Sequence, residues 1–298
     1  MRQHKRQMLY GYAFLAPAAF LFLLTVAYPF AALVYKSFFQ SSLFGGTHFV
    51  GLGNYAAMLV SPQFQKSFLV TLLWTIGVVP LVMLIALGVA LLLEGLHERA
   101  RGIFRVIYFI PVVTNMVAAA FVWRWLFEPT NGVVNWIAHI FGLPQVGWLA
   151  SPTWALPAMI VVGIWKQIGF ALVIFIAGLK VIPRELIEAA RIDGANAWQE
   201  FVHITLPLLN PTIVFLLCIL TINAFRVFTI PYVMSAGGFT YGTPGGPLDA
   251  TRVLAIHIYD LGFRQHQTGA AAASAMALLL ITIALTLIQL RLTDRGAR

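Results

Sequence analysis

Charge is scarce in this chain: Lys, Arg, Asp and Glu make up 10% of its 298 residues, against about a quarter in an ordinary soluble domain. That deficit excludes a soluble globular fold. Acidic groups are the scarcer sign, 10 Asp and Glu against 19 Lys and Arg, and none falls in the middle of an apolar run. A carrier driven by an ion gradient wants intramembrane carboxylates, so that class is disfavoured. Cysteine is reduced to Cys218, inside an apolar run, which leaves no disulfide framework and reads as a small buried hydrophobe. The patterns G-x-x-x-x-G-K-[ST], H-E-x-x-H and G-x-S-x-G are missing, so no catalytic site is expected. The seven histidines stand singly, His203 among them as a surface residue, and suggest no metal centre. A net charge of +9 would suit nucleic acid, but the basic residues sit at the ends of apolar runs and form no patch with interleaved aromatics.

What the chain does have is length of apolar sequence. Hydrophobic residues reach 60% and the mean hydropathy is +0.86. Six runs, about 10–35, 68–93, 107–127, 154–179, 209–233 and 269–290, each attain the roughly 20 residues that a helix needs to cross hydrocarbon. The first follows Arg2, Lys5 and Arg6 but is too long for a signal-peptide core. The expectation is an all-α polytopic membrane protein, one domain over 1–298, with six transmembrane helices. The loop 36–66 is polar and contains glycine, and NGVVNWIAHIFGLP, after the third run, suits a short interfacial helix. Six crossings place both termini on one side. Twelve Lys and Arg flank the runs on that side and four on the other, so the positive-inside rule puts the termini in the cytoplasm of a prokaryotic inner membrane.

The polar interval 183–207, between the fourth and fifth runs, is predicted to form two short helices with a sharp break. Pro183 suits a first helical turn, and Glu185 and Glu188 suit its positive end. Gly194 supplies the positive φ that stops the helix. Asn196 caps a second helix with Gln199 as capping-box partner, and Pro207 is expected to end it. A helix-turn-helix slung between two membrane spans is a docking element facing the compartment that holds ATP.

Ionisable groups within spans are costly and mark functional candidates. Arg124 lies near the end of the third run and can snorkel. Lys166, with Gln167 beside it, lies near the middle of the fourth run, and Arg226 follows Asn223 in the fifth. Lys166 and Arg226 need a polar cavity, an acidic or carbonyl partner, or a pairing at a subunit interface. With Trp123, Trp165 and Phe225 nearby, the mix suits a hydroxylated solute, the rings covering C–H faces; the same cations also suit a phosphate or carboxylate. Asn115, after Pro111, reads equally as a solute contact or a polar group at a helix kink.

The spacing Glu188-Ala189-Ala190, three residues, Gly194, nine residues, Ile204, one residue, Leu206-Pro207 resembles in full the EAA loop of binding-protein-dependent ABC importer permeases. Further likeness lies in FVGLGNY (Phe49–Tyr55), FRVIYFIP (Phe104–Pro111), Trp165-Lys166, Ala177-Gly178-Leu179, Pro207-Leu208-Leu209 and TPGGP (Thr243–Pro247), with Gly237-Gly238-Phe239 as a near-copy of the last. The resemblance is to the sugar-type permeases, the group containing the maltose and glycerol-3-phosphate permeases, and covers nearly the whole chain.

This resemblance implies a cytoplasmic coupling helix in which Glu188, Ala189, Ala190, Asp193, Gly194, Ile204, Leu206 and Pro207 engage an ATPase. It also implies a heterodimer with a second permease, two ATP-binding cassette subunits that hold the ATP-Mg, and an extracytoplasmic solute-binding protein. This chain would carry no cofactor. Lys166, Gln167, Asn223, Arg226 and Asn115 would contact the solute, a carbohydrate or polyol, with glycerol-3-phosphate or another small anion as the alternative.

Overall fold

The computed structural model describes residues 2–42, 46–235 and 244–296. Gly237-Gly238-Phe239 and Thr243 of the outer glycine-rich segment lie outside these. Five helical stretches are long and apolar enough to cross a membrane: Gly11–Ser37, Pro62–Glu94, Ala155–Val181, Asn210–Ser235 and Thr268–Leu292. A sixth crossing is made by Glu98–Val113 and Met116–Leu126 if that pair, bent by 101°, is one span. The third run, read as one continuous helix, is therefore a broken one.

The chain divides into two units, residues 1–61 with 258–277, and 62–257 with 278–298. The first holds α1 (Arg2–Phe22), a π turn (Leu23–Ala27), α2 (Tyr28–Ser37), a hairpin of β1 (Phe39–Ser42) and β2 (Gly46–Phe49), and α3 (Gly53–Val60). The hairpin is a small departure from an all-helical expectation. It pairs Phe39 with Phe49 and Gln40 with His48. The FVGLGNY motif is used here structurally. Asn54 Nδ2 donates to the carbonyls of Ser37 (2.8 Å) and Phe39 (2.9 Å), and Tyr55 OH donates to Ser37 Oγ (2.8 Å). These bonds close the carbonyls left where α2 stops.

The second unit is built on α4 (Pro62–Glu94), α5 (Glu98–Val113), α6 (Met116–Leu126), α7 (Val133–Ile140) and α8 (Ala155–Val181). The chain then passes through α9 (Arg184–Ile192), α10 (Ala197–Glu200), α11 (Leu206–Leu208), α12 (Asn210–Phe225) and α13 (Thr229–Ser235). The last two helices, α14 (Leu254–Tyr259) and α15 (Thr268–Gly296), each divide between the units. Apolar residues recur around both α4 and α8, as in helices surrounded by protein and lipid. Their shared face holds Trp74, Val78, Val82, Met159, Val162 and Phe175, all buried. Lipid tails are as apolar as these side chains, so close fit rather than water exclusion drives the contact. Two polar contacts tie segments distant in sequence: Thr71 Oγ1 accepts from Leu254 N (2.8 Å) and Gln289 Nε2 donates to Thr221 Oγ1 (2.8 Å). At the end of α4, Arg101 donates to the carbonyls of Leu93, Glu94 and Leu96 (3.0, 2.6 and 3.2 Å).

Pro207 does not end its helix. It sits at the start of α11, behind a π turn over Phe201–Thr205 in which Leu206 N–H reaches back to Phe201 O. The wider turn makes room for a ring that would strike the carbonyl four residues earlier. The first unit repeats the device, with Tyr28 N–H on Leu23 O ahead of Pro29.

Candidate functional site

Two regions of the second unit hold the residues singled out by sequence. The first is the hairpin between α8 and α12. Helix α9 carries Glu185 in its first turn and Arg191 in its last, the arrangement that favours both ends of a helix dipole. It stops at Asp193, and Gly194 takes φ +86°. The chain closes there with Gly194 N on Arg191 O (3.1 Å) and Ala195 N on Ala190 O (2.9 Å), so the last carbonyls of α9 find donors within the turn. Asn196 and Gln199 form the expected capping box, each side chain accepting from the other's backbone at 2.9 Å. Arg191 bridges to Glu200 at 2.9 Å. That carboxylate, by hydrogen bond and charge, raises the guanidinium above its ordinary pKa.

Within this chain α9 buries no side chain. Glu188, Ala189, Asp193, Gly194 and Pro207 are exposed, while Ala190, Ile204 and Leu206 are half-buried. Ile192 and Trp198 stand 86% and 71% exposed, a notable apolar display on a loop whose backbone is otherwise fully organised. The hairpin also lines a cavity of about 570 Å³, with Glu94, Glu188, Arg184 and Arg191 in its wall.

The second region is the break in the third span. Helix α5 ends at Val113, with Thr114 extended (φ −69°, ψ 143°). Asn115 then caps α6, its Oδ1 accepting from Val117 N (2.9 Å) and Ala118 N (3.2 Å). Lys166, arriving on α8, donates from Nζ to the carbonyls of Pro111 (2.6 Å), Val112 (3.3 Å) and Thr114 (2.8 Å). Of the alternatives open to Lys166, the carbonyl partner is the one seen. Its Nζ thus has three backbone acceptors within 3.3 Å. Three residues further along α8, Gly169 lets the helices touch, since a Cβ there would sit 1.9 Å from Tyr108 O.

The remaining candidates divide. Gln167 is half-buried, and Asn223 and Arg226 are exposed; among the described residues their side chains make no hydrogen bond or ion pair. Arg226 is the C-cap of α12, just before the chain resumes as α13. Lys166 and Asn115 meet at the same break, whereas no side-chain bond ties Asn223 or Arg226 to either. The aromatic groups are mostly engaged with one another. Trp123 packs edge-on to Trp165 (5.6 Å) and stacks on Phe127 (5.7 Å). Phe225 is 1% exposed, so it belongs to the core and cannot cover a solute face.

Sequence reasoning missed Asn135, which staples the loop after α6. Its Nδ2 donates to the carbonyls of Pro129 (2.8 Å) and Val146 (2.9 Å), and its Oδ1 accepts from Trp148 Nε1 (2.8 Å). Burial of an Asn within NGVVNW was the only available signal, and burial is not visible in sequence.

Residues 50–297 match the family described as binding-protein-dependent transport system inner membrane component. The chain belongs to this family. The permease is 40% identical over 247 residues to the sulfoquinovosyl glycerol transport system permease protein of Agrobacterium fabrum, covering 82% of this chain and 77% of that one. It is 36% identical over 263 residues to the trehalose/maltose transport system permease protein of Thermococcus litoralis, covering 86% and 85%. A crystal structure of a bacterial alginate ABC transporter, in complex with an alginate pentasaccharide-bound periplasmic protein, superposes with a TM-score of 0.82 at 25% identity, covering 100% of this chain and 98% of that one. The permease is thus a multi-pass inner-membrane component of a binding-protein-dependent ABC importer.

Proposed function

We propose that this permease carries a carbohydrate or related polyol into the cytoplasm. Its partners would be a second permease in a heterodimer, two ATPase subunits that bind ATP-Mg, and an extracytoplasmic solute-binding protein, with both termini in the cytoplasm. The observation that carries the solute class is the unspent hydrogen-bonding capacity of Gln167, Asn223 and Arg226 in or beside membrane-spanning helices. Amide and guanidinium groups of this kind take hydroxyls, and they are too costly in a span to be kept idle. Asn115, whose Oδ1 is used on α6, still has its amide N–H groups to offer. The solute set is then Gln167, Asn223, Arg226 and Asn115, with Lys166 beside it. Names of the relatives support the reading, since they include trehalose/maltose, lactose and arabinooligosaccharide permeases.

The 183–207 hairpin is the coupling element, with Glu188, Ala189, Ala190, Asp193, Gly194, Ile204, Leu206 and Pro207 meeting the ATPase. Exposed Ile192 and Trp198 support this, because an ordered loop gains by covering them. Closure of the ATPase dimer would drive the two coupling elements together and turn the pore outward, each ligand favouring one state differentially. A second reading, a small anionic solute such as glycerol-3-phosphate, is favoured by one observation: Arg226 has no carboxylate partner among the described residues.

Affinity purification of the tagged chain from native membranes tests the assembly. A stoichiometric ATPase, a second permease and a binding protein that takes up a saccharide are expected. A chain that purifies alone from membranes where it supports uptake would overturn the assembly. A co-purifying binding protein that prefers a phosphate ester would replace the carbohydrate with the anion.

A further inference from the structure

When a helix breaks inside a membrane, the last carbonyls on one side and the first N–H groups on the other lose their partners, and no water is there to replace them. At the break in the third span Asn115 takes the N–H side. The carbonyl side is a cluster of three oxygens, from Pro111, Val112 and Thr114, converging on one point. In ion-coupled carriers, unwound carbonyls and half-helix C-terminal ends of this kind coordinate Na⁺. Here that point holds the ammonium of Lys166, at 2.6, 3.3 and 2.8 Å. Thr114 Oγ1 adds a bond to Pro111 O (2.7 Å), which ties the cluster together.

We infer that the break in the third span is a monovalent-cation site permanently filled by the tethered ammonium of Lys166, which holds the bend without an ion from solution. Lys166 is accordingly a positioning residue: it sets where α6 begins, and so where Asn115 stands, without touching the solute. The chemistry of the site defines what would fill it if the tether were cut: a small alkylammonium, whose N–H groups reproduce three donors, ahead of a neutral alcohol of the same shape. A solute-binding lysine in the same place would make no such demand.

The test uses the purified intact transporter complex and needs no knowledge of the solute, so a failure of the carbohydrate reading leaves it unaffected. Lys166→Ala removes the cation but leaves the cavity. Its complex is expected to melt roughly 5 °C or more below wild type. Ethylammonium chloride should recover most of that loss, ethanol none of it, and neither should move the wild type, whose site is filled. A Lys166→Ala complex that melts with the wild type, or one lowered equally with and without ethylammonium, would overturn the inference. If the variant does not accumulate, ethylammonium in the growth medium is expected to restore its level in the membrane, and no restoration counts against the site. Lys166→Arg keeps charge but replaces the compact ammonium with a planar fork. It should accumulate, melt below wild type and ignore ethylammonium; melting identical to wild type would also overturn the inference.

Discussion

Two helix breaks in this permease begin alike and are completed differently. Each restarts on an asparagine cap, Asn196 on α10 and Asn115 on α6. They part over the carbonyls left behind. At the 183–207 hairpin, Gly194 turns the chain so that its own N–H and that of Ala195 reach the end of α9. At the break between α5 and α6 the nearby sequence supplies one side-chain donor, Thr114 Oγ1 to Pro111 O (2.7 Å), and the rest come from Lys166, 52 to 55 positions away. The difference follows from solvent. A turn in water tolerates an imperfect local closure because water completes it, while a turn in hydrocarbon needs every acceptor met by protein. A third break, at the end of α4, is intermediate: Arg101 closes it from the start of the next helix.

The contrast can be broken or sharpened by substitution. The largest effect is expected from Gly194→Asp. Nothing lies within 4 Å of a Cβ at that position, so the substitution adds only the left-handed strain of about 1–2 kcal/mol. Uptake should nevertheless be abolished while immunoblots show an unchanged membrane level, because the damage falls on docking. Loss of the protein from the membrane would mean that the hairpin is needed for folding. Gly169→Ala comes next. The added methyl would meet Tyr108 O at 1.9 Å, forcing α5 from α8 and loosening the Lys166 contact. Overpacking of this kind costs about 1–3 kcal/mol, read as a lowered melting temperature of the solubilised complex.

Loss of the caps is a smaller change, in the range of about 0.5–2 kcal/mol. Asn115→Ala should lie at the upper end and Asn196→Ala at the lower, since water can replace only the second. Equal melting shifts would break the comparison. The smallest effect belongs to the turn that ends α6. Glu128 accepts from Asn131 N and from Thr130, and these bonds hold its carboxyl below the ordinary value of 4.5. A depressed folded value means that the turn's support is complete above the unfolded pKa and is lost as pH falls through the folded one. Protection of the Asn131 amide, relative to its intrinsic exchange rate, should fall in that acid window, and Glu128→Gln should remove this pH dependence.

The 183–207 hairpin was legible because its interactions are short-range: a glycine for the turn, an Asn and a Gln three apart for the box. One local inference failed there. Pro207 was expected to stop the helix, yet the π turn over Phe201–Thr205 accommodates it, and no sequence rule signals where a helix will widen. In the third span, Asn115 after Pro111 reads equally as a solute contact or a kink residue, and neither reading gives a bend of 101°. Trp123, Trp165 and Phe225 were grouped as rings available to solute because they lie near polar residues in sequence. Packing instead set the two tryptophans against each other and put Phe225 in the core.

By itself the sequence determined the class of molecule, the number of apolar runs, the position of the 183–207 hairpin and the family, because each depends on composition or on spacing within a few turns of chain. The tertiary structure alone decided which groups Lys166 meets. A lone cation in a span must find oxygen somewhere, and whether that oxygen belongs to a solute, a carboxylate or a broken helix depends on which segment packs beside it.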